Sequence, residues 1–441
     1  MIRKEAMGRG SMVRNSLGMI TGRAASMALG FLFWLLAARL FPADKVGLTA
    51  GVVSAMMLCT QLALLGIGSA FIAYFPRHQQ KPAALVDTAV SIVVIASLVA
   101  GALFLVTAKF SFHELRVVGG SALYVVMFLS MCVLGTLNIL LDQVSIAIGR
   151  GGQVLTRNVV FGGVTVVLLL VLHTIAHDAS SLALFSLWIG GGVGACALGA
   201  SQLWRSLDGY RYRPRLEHGL RAPLVRVGLP NHLLTLTERA PGLILPILVT
   251  ELLSPTQNAY WYAVWMMAWV VYIIPISMGM ALFAEASHRP ESLARAVRSG
   301  VGTSLLFGVA SAGAIAVLAD PLLGLLGARY ADAGATPLRI LLIAFVPLTL
   351  VQVYFASCRA TGKLTEAIVT GTVSGVVAVG AAAAAARSGG LAGMAWTWVA
   401  TQWVTGLWAL VRLRSLSRLH AEVDPEATRA VEPAALAVSA G

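Results

Sequence analysis

Charged residues are scarce in this sequence: Asp, Glu, Lys and Arg make up 12% of its 441 residues. About a quarter of a soluble domain is charged, so this scarcity and a mean hydropathy of +0.82 exclude an ordinary soluble protein. Long polar loops are also missing, which leaves no room for a folded domain outside a membrane. The few cysteines lie in apolar segments, so we interpret them as small hydrophobic residues rather than disulfide partners: Cys59, Cys132, Cys196 and Cys358.

Apolar runs occupy most of the chain. Each run is about as long as the ~20 residues that a helix needs to cross a ~30 Å hydrocarbon core. Strand-like alternation of apolar and polar residues is absent, so we predict an all-α membrane protein with about twelve transmembrane helices. Their predicted ranges are 16–41, 47–75, 83–108, 119–149, 155–176, 181–204, 228–253, 259–284, 297–319, 336–359, 365–387 and 390–413.

Lys and Arg are distributed unevenly between the two sides that this helix pattern creates. The net charge is +13, and 23 of the 32 Lys and Arg fall at the termini or in alternate loops, against 7 in the opposite loops. Because they are spread over many short loops, we interpret the charge as a topology signal rather than a nucleic-acid site. The positive-inside rule then predicts a multi-pass protein of the inner (cytoplasmic) membrane with both termini in the cytoplasm.

The most arginine-rich loop lies halfway along the chain and divides it into two halves. We interpret its six arginines, from Arg205 to Arg226, as a topology anchor for anionic lipid head groups, or alternatively as a site for a specific partner. Two prolines and little periodicity predict disorder at the C-terminal end. The predicted organisation is an N-terminal lobe at 1–205, a cytoplasmic linker at 206–226, a C-terminal lobe at 227–413 and a disordered cytoplasmic tail at 414–441.

The two halves contain a weak internal repeat. At an offset of 216 residues, Asn15, Thr21 and Arg23 align with Asn231, Thr237 and Arg239, within ten-residue segments that agree at five positions. The matched pair of intramembrane arginines carries most weight, since Leu and Ala coincide often in apolar sequences. Helices one and seven are predicted to start on the same side, so the lobes are expected to be parallel repeats of six helices.

The sequence also resembles a known family. The matching segments are small-residue and turn motifs at both ends of the chain: residues 38–42 (Ala-Arg-Leu-Phe-Pro), 65–70 (Leu-Gly-Ile-Gly-Ser-Ala), 326–330 (Leu-Gly-Ala-Arg-Tyr), 338–341 (Leu-Arg-Ile-Leu) and 390–393 (Gly-Leu-Ala-Gly). They are similar to polysaccharide-biosynthesis flippases of the multidrug/oligosaccharidyl-lipid/polysaccharide (MOP) exporter superfamily. The resemblance implies two six-helix lobes around a cavity, rocking to carry an undecaprenyl-diphosphate-linked glycan. The chain has no room for the two further helices that lipid II flippases usually carry.

Arg23 and Arg239 are the candidate substrate-binding residues. Each is predicted to lie too deep in its helix to reach the membrane surface, and an Arg fork binds phosphate bidentately. The alternative is that each arginine is paired with a buried carboxylate and only joins helices. Glu238 is interpreted either as a coupling group for protons or sodium or, as we favour, as a counter-ion.

Further polar residues are candidates for lining the path: Gln61, Asn138 and Asn231. Four carboxylates lie near predicted helix ends, where water or lipid head groups can reach them, and ordinary solvation is expected for most of these: Asp87, Asp142, Glu251 and Glu285. No catalytic residue, metal or cofactor is predicted.

The sequence thus predicts a flippase that moves an undecaprenyl-diphosphate-linked oligosaccharide to the outer leaflet for cell-surface polysaccharide assembly. Its expected partners are the lipid-linked oligosaccharide and membrane lipid, with polysaccharide-assembly proteins as further candidates. A multidrug exporter of the same superfamily is the main rival, and would need acidic residues for cationic drugs. A membrane glycan polymerase or ligase is disfavoured because the outer loops are all short.

Overall fold

The described part of the chain consists of helices joined by turns and one longer linker. A computed structural model describes residues 9–75, 82–207, 209–288 and 293–437, with side chains described for 25–72, 74–75, 82–207, 209–217, 219–286 and 300–415. A 3₁₀ helix at Leu115–Gly119 lies between α4 and α5. The α-helices are α1 (Arg9–Leu40), α2 (Ala43–Ala63), α3 (Ile67–Tyr74), α4 (Pro82–Ser111), α5 (Ala122–Ala147), α6 (Gly152–Ile175), α7 (Ser181–Ser206), α8 (His218–Leu252), α9 (Pro255–His288), α10 (Leu293–Val317), α11 (Ala319–Gly324), α12 (Ala328–Ile343), α13 (Phe345–Ala360) and α14 (Leu364–Ala437).

The number of membrane crossings follows from helix length and breaks. Among the described residues, nine helices are long and apolar enough to cross a membrane, or ten if α12 and α13 form one span bent by 43°. The apolar stretch of α14, Leu364–Ser415, has 52 residues and is broken at Gly390, whose φ of 54° is non-helical. That length is about two spans. With α1 as a further span, this confirms the predicted class of about twelve transmembrane helices in an all-α membrane protein.

Two predicted spans are interrupted in the structure. The second one divides into α2 and α3 at Leu65 and Gly66, which both have positive φ, and the tenth divides at Ala344. Gly66 lies against Gly228 of α8, where a Cβ on Gly66 would fall 2.2 Å from the Gly228 carbonyl oxygen. Only a residue without a side chain permits this approach, so the break fixes how closely the two halves meet.

The loop between the halves is shorter than predicted. Residues 209–217 are non-helical, but α8 begins at His218, ten residues before the start expected from hydropathy. Leu220 and Leu224 lie one turn apart and pack against α3 and α4, with Leu224 fully buried. This docking, rather than membrane hydropathy, explains the early start of the helix.

The C-terminal prediction also differs from the structure. The backbone of α14 is helical to Ala437, where a disordered tail was expected from residue 414. The segment is rich in alanine, which favours helix despite Pro425 and Pro433.

The helices form two packed groups that meet along α2, α8 and α9. In the first group α1 packs on α6 and α6 on α7; in the second α9 packs on α13 and α13 on α14. We call the side of the bundle that carries residues 209–217 the linker face. The opposite side, which carries the α1–α2 turn, the 3₁₀ helix and the α8–α9 turn, is the far face.

Candidate functional site

Each lobe contains an internal pocket. The N-lobe pocket has a volume of about 200 Å³, and its polar lining comes from α1, α2, α5 and α6: Ser26, Thr60, Gln61, Asn138, Asp142, Arg157 and Asn158. The C-lobe pocket has a volume of about 70 Å³, and its polar lining comes from α8, α13 and α14: Thr237, Glu238, Gln352, Ser374, Gln402 and Thr405. Sites for drug-sized ligands occupy about 300–1,000 Å³, so these pockets hold ions or a few waters at most.

The two pockets occupy equivalent places in the lobes. The N-lobe pocket is lined by the first, second, fourth, fifth and sixth spans of its half, and the C-lobe pocket by the same five spans of the other half. Ser26 in α1 and Pro241 in α8 mark the first span of each half, close to the offset of 216 residues found in the sequence. Parallel repeats produce this correspondence.

Glu238 has a cationic partner within the C lobe. Its carboxylate lies 3.4 Å from the guanidinium of Arg359 in α13, and both side chains are 14% exposed. The two residues are 121 positions apart in sequence, so no local pattern could have paired them. The carboxylate is therefore turned into the lobe and neutralised there.

Arg239 points in a different direction from Glu238. Neighbouring residues on a helix diverge by about 100°, whereas residues seven apart lie on one face. His232, seven residues before Arg239, bonds through Nε2 to the backbone oxygen of Gln61 in α2, at 2.7 Å. The face shared by His232 and Arg239 is thus the face of α8 that meets the N lobe, and Arg239 is exposed on it.

The other predicted site residues fall into two groups. Gln61 and Asn138 line the N-lobe pocket together, and both polar side-chain atoms of Asn138 are buried without a hydrogen-bond partner among the described residues. Asn231 is exposed on α8, away from both pockets. The Arg23 side chain lies outside the described residues, although its backbone belongs to α1.

An ion pair that the sequence analysis missed lies in the N lobe. Arg157 is 2% exposed and donates from NH2 to Asp142 at 2.7 Å and from NH1 to Gln202 at 2.6 Å. Asp142, which was expected to be solvated, therefore has its carboxylate held by an arginine, although 26% of its side chain is exposed. Arg157 lies inside a predicted membrane helix, and an arginine in such a place is the signal in the sequence that could have revealed this ion pair.

Two other carboxylates near predicted helix ends accept hydrogen bonds from the protein instead of being fully solvated. Asp87 is 5% exposed and accepts from the Tyr210 hydroxyl at 2.5 Å and the Arg213 amide at 3.1 Å. Glu251, at the end of α8, accepts three backbone N–H bonds from the turn that starts the 3₁₀ helix. Glu285 is exposed, as expected.

The lobes are joined at the far face by several contacts. Glu251 Oε2 accepts from His113 N at 2.7 Å and Glu114 N at 3.2 Å, and Oε1 accepts from Leu115 N at 2.7 Å. The Asn258 amide donates to the Gly47 carbonyl at 2.8 Å. Arg39 of α1 donates to two backbone carbonyls at the C-terminal end of α11, those of Gly324 and Leu325. This end of the bundle is therefore closed between the lobes.

The two lobes, each with an internal pocket, form a MATE/MOP-like membrane fold. The chain superposes over 92% of its length on 99% of an inward-facing multidrug resistance MATE family transporter of the MOP superfamily, with a TM-score of 0.71 and 17% identity. Over 91% of its length it superposes on 87% of the lipid II flippase MurJ in an inward closed conformation, with a TM-score of 0.72 and 11% identity.

The similarity depends on the conformation of the neighbour. An outward-facing MATE transporter of the MOP superfamily, also 17% identical, matches over 92% of this chain and 96% of its own, with a TM-score of 0.60. The lower score agrees with the closed far face. No protein-family profile and no curated protein matches the sequence.

Proposed function

We propose that this protein is a flippase that moves a lipid-linked oligosaccharide, carried on undecaprenyl diphosphate, from the cytoplasmic to the outer leaflet by alternating access. In this proposal the linker face is cytoplasmic, and the far face, where the lobes are closed against each other, lies on the outer side. The observation that carries the proposal is the exposed Arg239 on the inter-lobe face of α8.

The size of the pockets supports a path between the lobes. Neither lobe pocket can hold a sugar chain, so the cargo has to pass along the surface where the lobes meet. Arg239 lies thirteen residues, or about 20 Å, from the far-face end of α8, well inside a ~30 Å hydrocarbon core. A cation at that depth requires polar surroundings, so we take this exposed arginine as the mark of a polar route.

A diphosphate suits this arginine chemically. Moving its negative charges through hydrocarbon without a partner would cost on the order of tens of kcal/mol. A guanidinium provides two parallel donors to one phosphate, which compensates part of that cost. Arg23, the counterpart of Arg239 in the repeat, is proposed to contact the same diphosphate from the N lobe.

Glu238 serves in this proposal as the counter-ion of Arg359. Its ion pair leaves Arg239 as the charge that faces the inter-lobe surface from this part of α8. The protein is proposed to act as a transporter and not as an enzyme, with the lipid-linked oligosaccharide and membrane lipid as its partners.

A multidrug exporter is the second candidate, and the same carboxylate favours it. Glu238 lines a pocket with Trp265, Trp269 and Trp398, which together would suit an aromatic cation if the Arg359 pair opened. The two candidates require opposite charges in the cargo, so they are separable by experiment.

The test is transport by Arg239 variants in proteoliposomes. We expect Arg239→Ala to abolish most translocation of a lipid-linked oligosaccharide while the melting temperature in detergent stays near that of the wild type. Arg239→Lys should restore transport in part, because it keeps the charge but loses the bidentate fork. Arg226→Ala, an exposed arginine on the same helix, is the matched control. Full transport by Arg239→Ala, or inactivity only together with lost folding, contradicts the proposal.

A further inference from the structure

A large apolar groove runs along the outside of the bundle where the two lobes meet. It has a volume of about 1010 Å³, several times that of either lobe pocket. The groove is bounded by α2 and α4 of the N lobe and by α8 of the C lobe, and α2 packs on both of the others and so forms its floor. Its lining on α4 runs from Ile92 to Thr107, about 22 Å along the helix.

The walls of the groove are apolar and open to the surroundings. Val99 is 53% exposed and Leu103 63% exposed, while Cys59 on the floor is buried. Thr107 and Arg221 are the polar residues among its lining apart from that cysteine. At the depth of the hydrocarbon core, such a surface is covered by lipid chains rather than by water.

The linker-face mouth of the groove is positively charged. Arg221, in the second turn of α8, is exposed there, and its side chain makes no hydrogen bond or ion pair within the described part of the chain. Three more exposed arginines precede it in the linker: Arg211, Arg213 and Arg215. Basic residues at this level of a membrane attract anionic lipid head groups.

The linker is fixed in this position by polar contacts to α4. Its backbone amides at Arg213, Arg215 and Glu217 donate to Asp87, Ser91 and Thr88, at 3.1 to 3.3 Å. The Tyr210 hydroxyl adds a bond to Asp87, and burial beside that carboxylate raises the pKa of Tyr210, so it remains a donor. The basic mouth is therefore held in place over the groove.

We propose that this groove binds one anionic phospholipid of the linker-face leaflet, with an acyl chain lying along α2 and its phosphate at Arg221. Because α2 and α4 belong to one lobe and α8 to the other, the lipid contacts both lobes. Its binding therefore stabilises the arrangement of the lobes seen in this structure. This inference is independent of what the protein transports.

The test compares phosphatidylglycerol with phosphatidylcholine of the same acyl chains, added to the purified full-length protein in detergent. Native mass spectrometry measures bound lipid, and a melting curve measures stabilisation by binding. We expect phosphatidylglycerol to bind more tightly and to raise the melting temperature. Arg221→Gln should weaken its binding by about fivefold, the effect of removing one basic residue near a membrane surface. Arg226→Gln, on the same helix outside the groove, should bind as the wild type does.

A second variant tests the apolar part of the site. Ala96→Phe places a ring in the groove and should displace the acyl chain, whereas Ala102→Phe, exposed on α4 outside the groove, should have no effect. Equal binding of both phospholipids, or wild-type binding by both Arg221→Gln and Ala96→Phe, would overturn the proposal. So would preferential displacement of phosphatidylglycerol by undecaprenyl phosphate, which would make the groove a site for the carrier lipid.

Discussion

Glu251 holds the far face closed, and removing its charge should open it. The perturbation is Glu251→Gln, which keeps the size of the side chain. If the glutamine oxygen takes the place of Oε2, it still accepts weakly from His113 and Glu114, but its amide then faces the Leu115 N–H, donor to donor. Leu115 is fully buried, so water cannot replace the lost acceptor.

The magnitude follows from these contacts. A hydrogen bond to a charged group contributes about 1.5–3 kcal/mol net, and an unsatisfied buried donor costs about 1–3 kcal/mol. The variant should therefore lose about 1.5–3 kcal/mol of the stability of the closed far face. Every 1.4 kcal/mol is tenfold, so the equilibrium between closed and open should shift by about tenfold to a hundredfold.

The assay is a distance distribution across the far face. Spin labels at positions 116 and 329, one in each lobe, are placed in a variant without native cysteines, and their separation is measured by double electron–electron resonance. We expect Glu251→Gln to increase the long-distance population. Glu114→Gln is the control, since that carboxylate contacts only the His113 ring among the described residues. An unchanged distribution in Glu251→Gln would refute the assignment of this carboxylate as an inter-lobe contact.

Four other predictions concern packing, topology and energetics. Arg157→Ala removes the buried guanidinium that bonds Asp142 and Gln202 in the N lobe, and should lower the free energy of unfolding by about 3–5 kcal/mol in a denaturation series. Gly66→Ala should reduce the yield of folded protein, because the new Cβ would meet a backbone carbonyl; Gly119→Ala, which faces open space, should not. A reporter fused after His177 should lie on the non-cytoplasmic side of the membrane, and one fused after Leu207 should lie in the cytoplasm. An imposed inside-negative potential should make the free energy of exporting a dianionic cargo more favourable by about 2.3 kcal/mol per charge per 100 mV, unless a coupled ion cancels the charge. Measured transport should then increase with the potential.

The membrane spans could be predicted from the sequence because hydropathy depends on composition alone. Even the break near Gly390 fell between two predicted helices, since a polar Arg387-Ser-Gly-Gly390 turn separates two apolar runs. The interruption at Leu65–Gly66 was missed because an apolar residue before a glycine does not lower hydropathy. Its cause is the approach of Gly228, which lies in the other half of the chain.

The candidate site was only partly accessible to sequence reasoning. The internal repeat identified Arg239, and Glu238 was interpreted either as a coupling group or as a counter-ion. The partners of buried charges could not be found in this way, although Arg359 and Arg157 both lie within predicted helices. Each ion pair joins two different helices of the bundle. The periodicity of a single helix therefore does not predict the pairing.

The central claim is that the protein moves an anionic lipid-linked oligosaccharide between leaflets. The most direct measurement reconstitutes the wild-type chain with a fluorescent undecaprenyl-diphosphate oligosaccharide and monitors its exposure to a membrane-impermeant quencher or lectin, beside the uptake of a cationic dye. We expect protein-dependent movement of the lipid-linked sugar, reduced in Arg239→Ala, and no movement of the dye. Movement of the dye without the lipid-linked sugar would contradict it and favour the multidrug exporter.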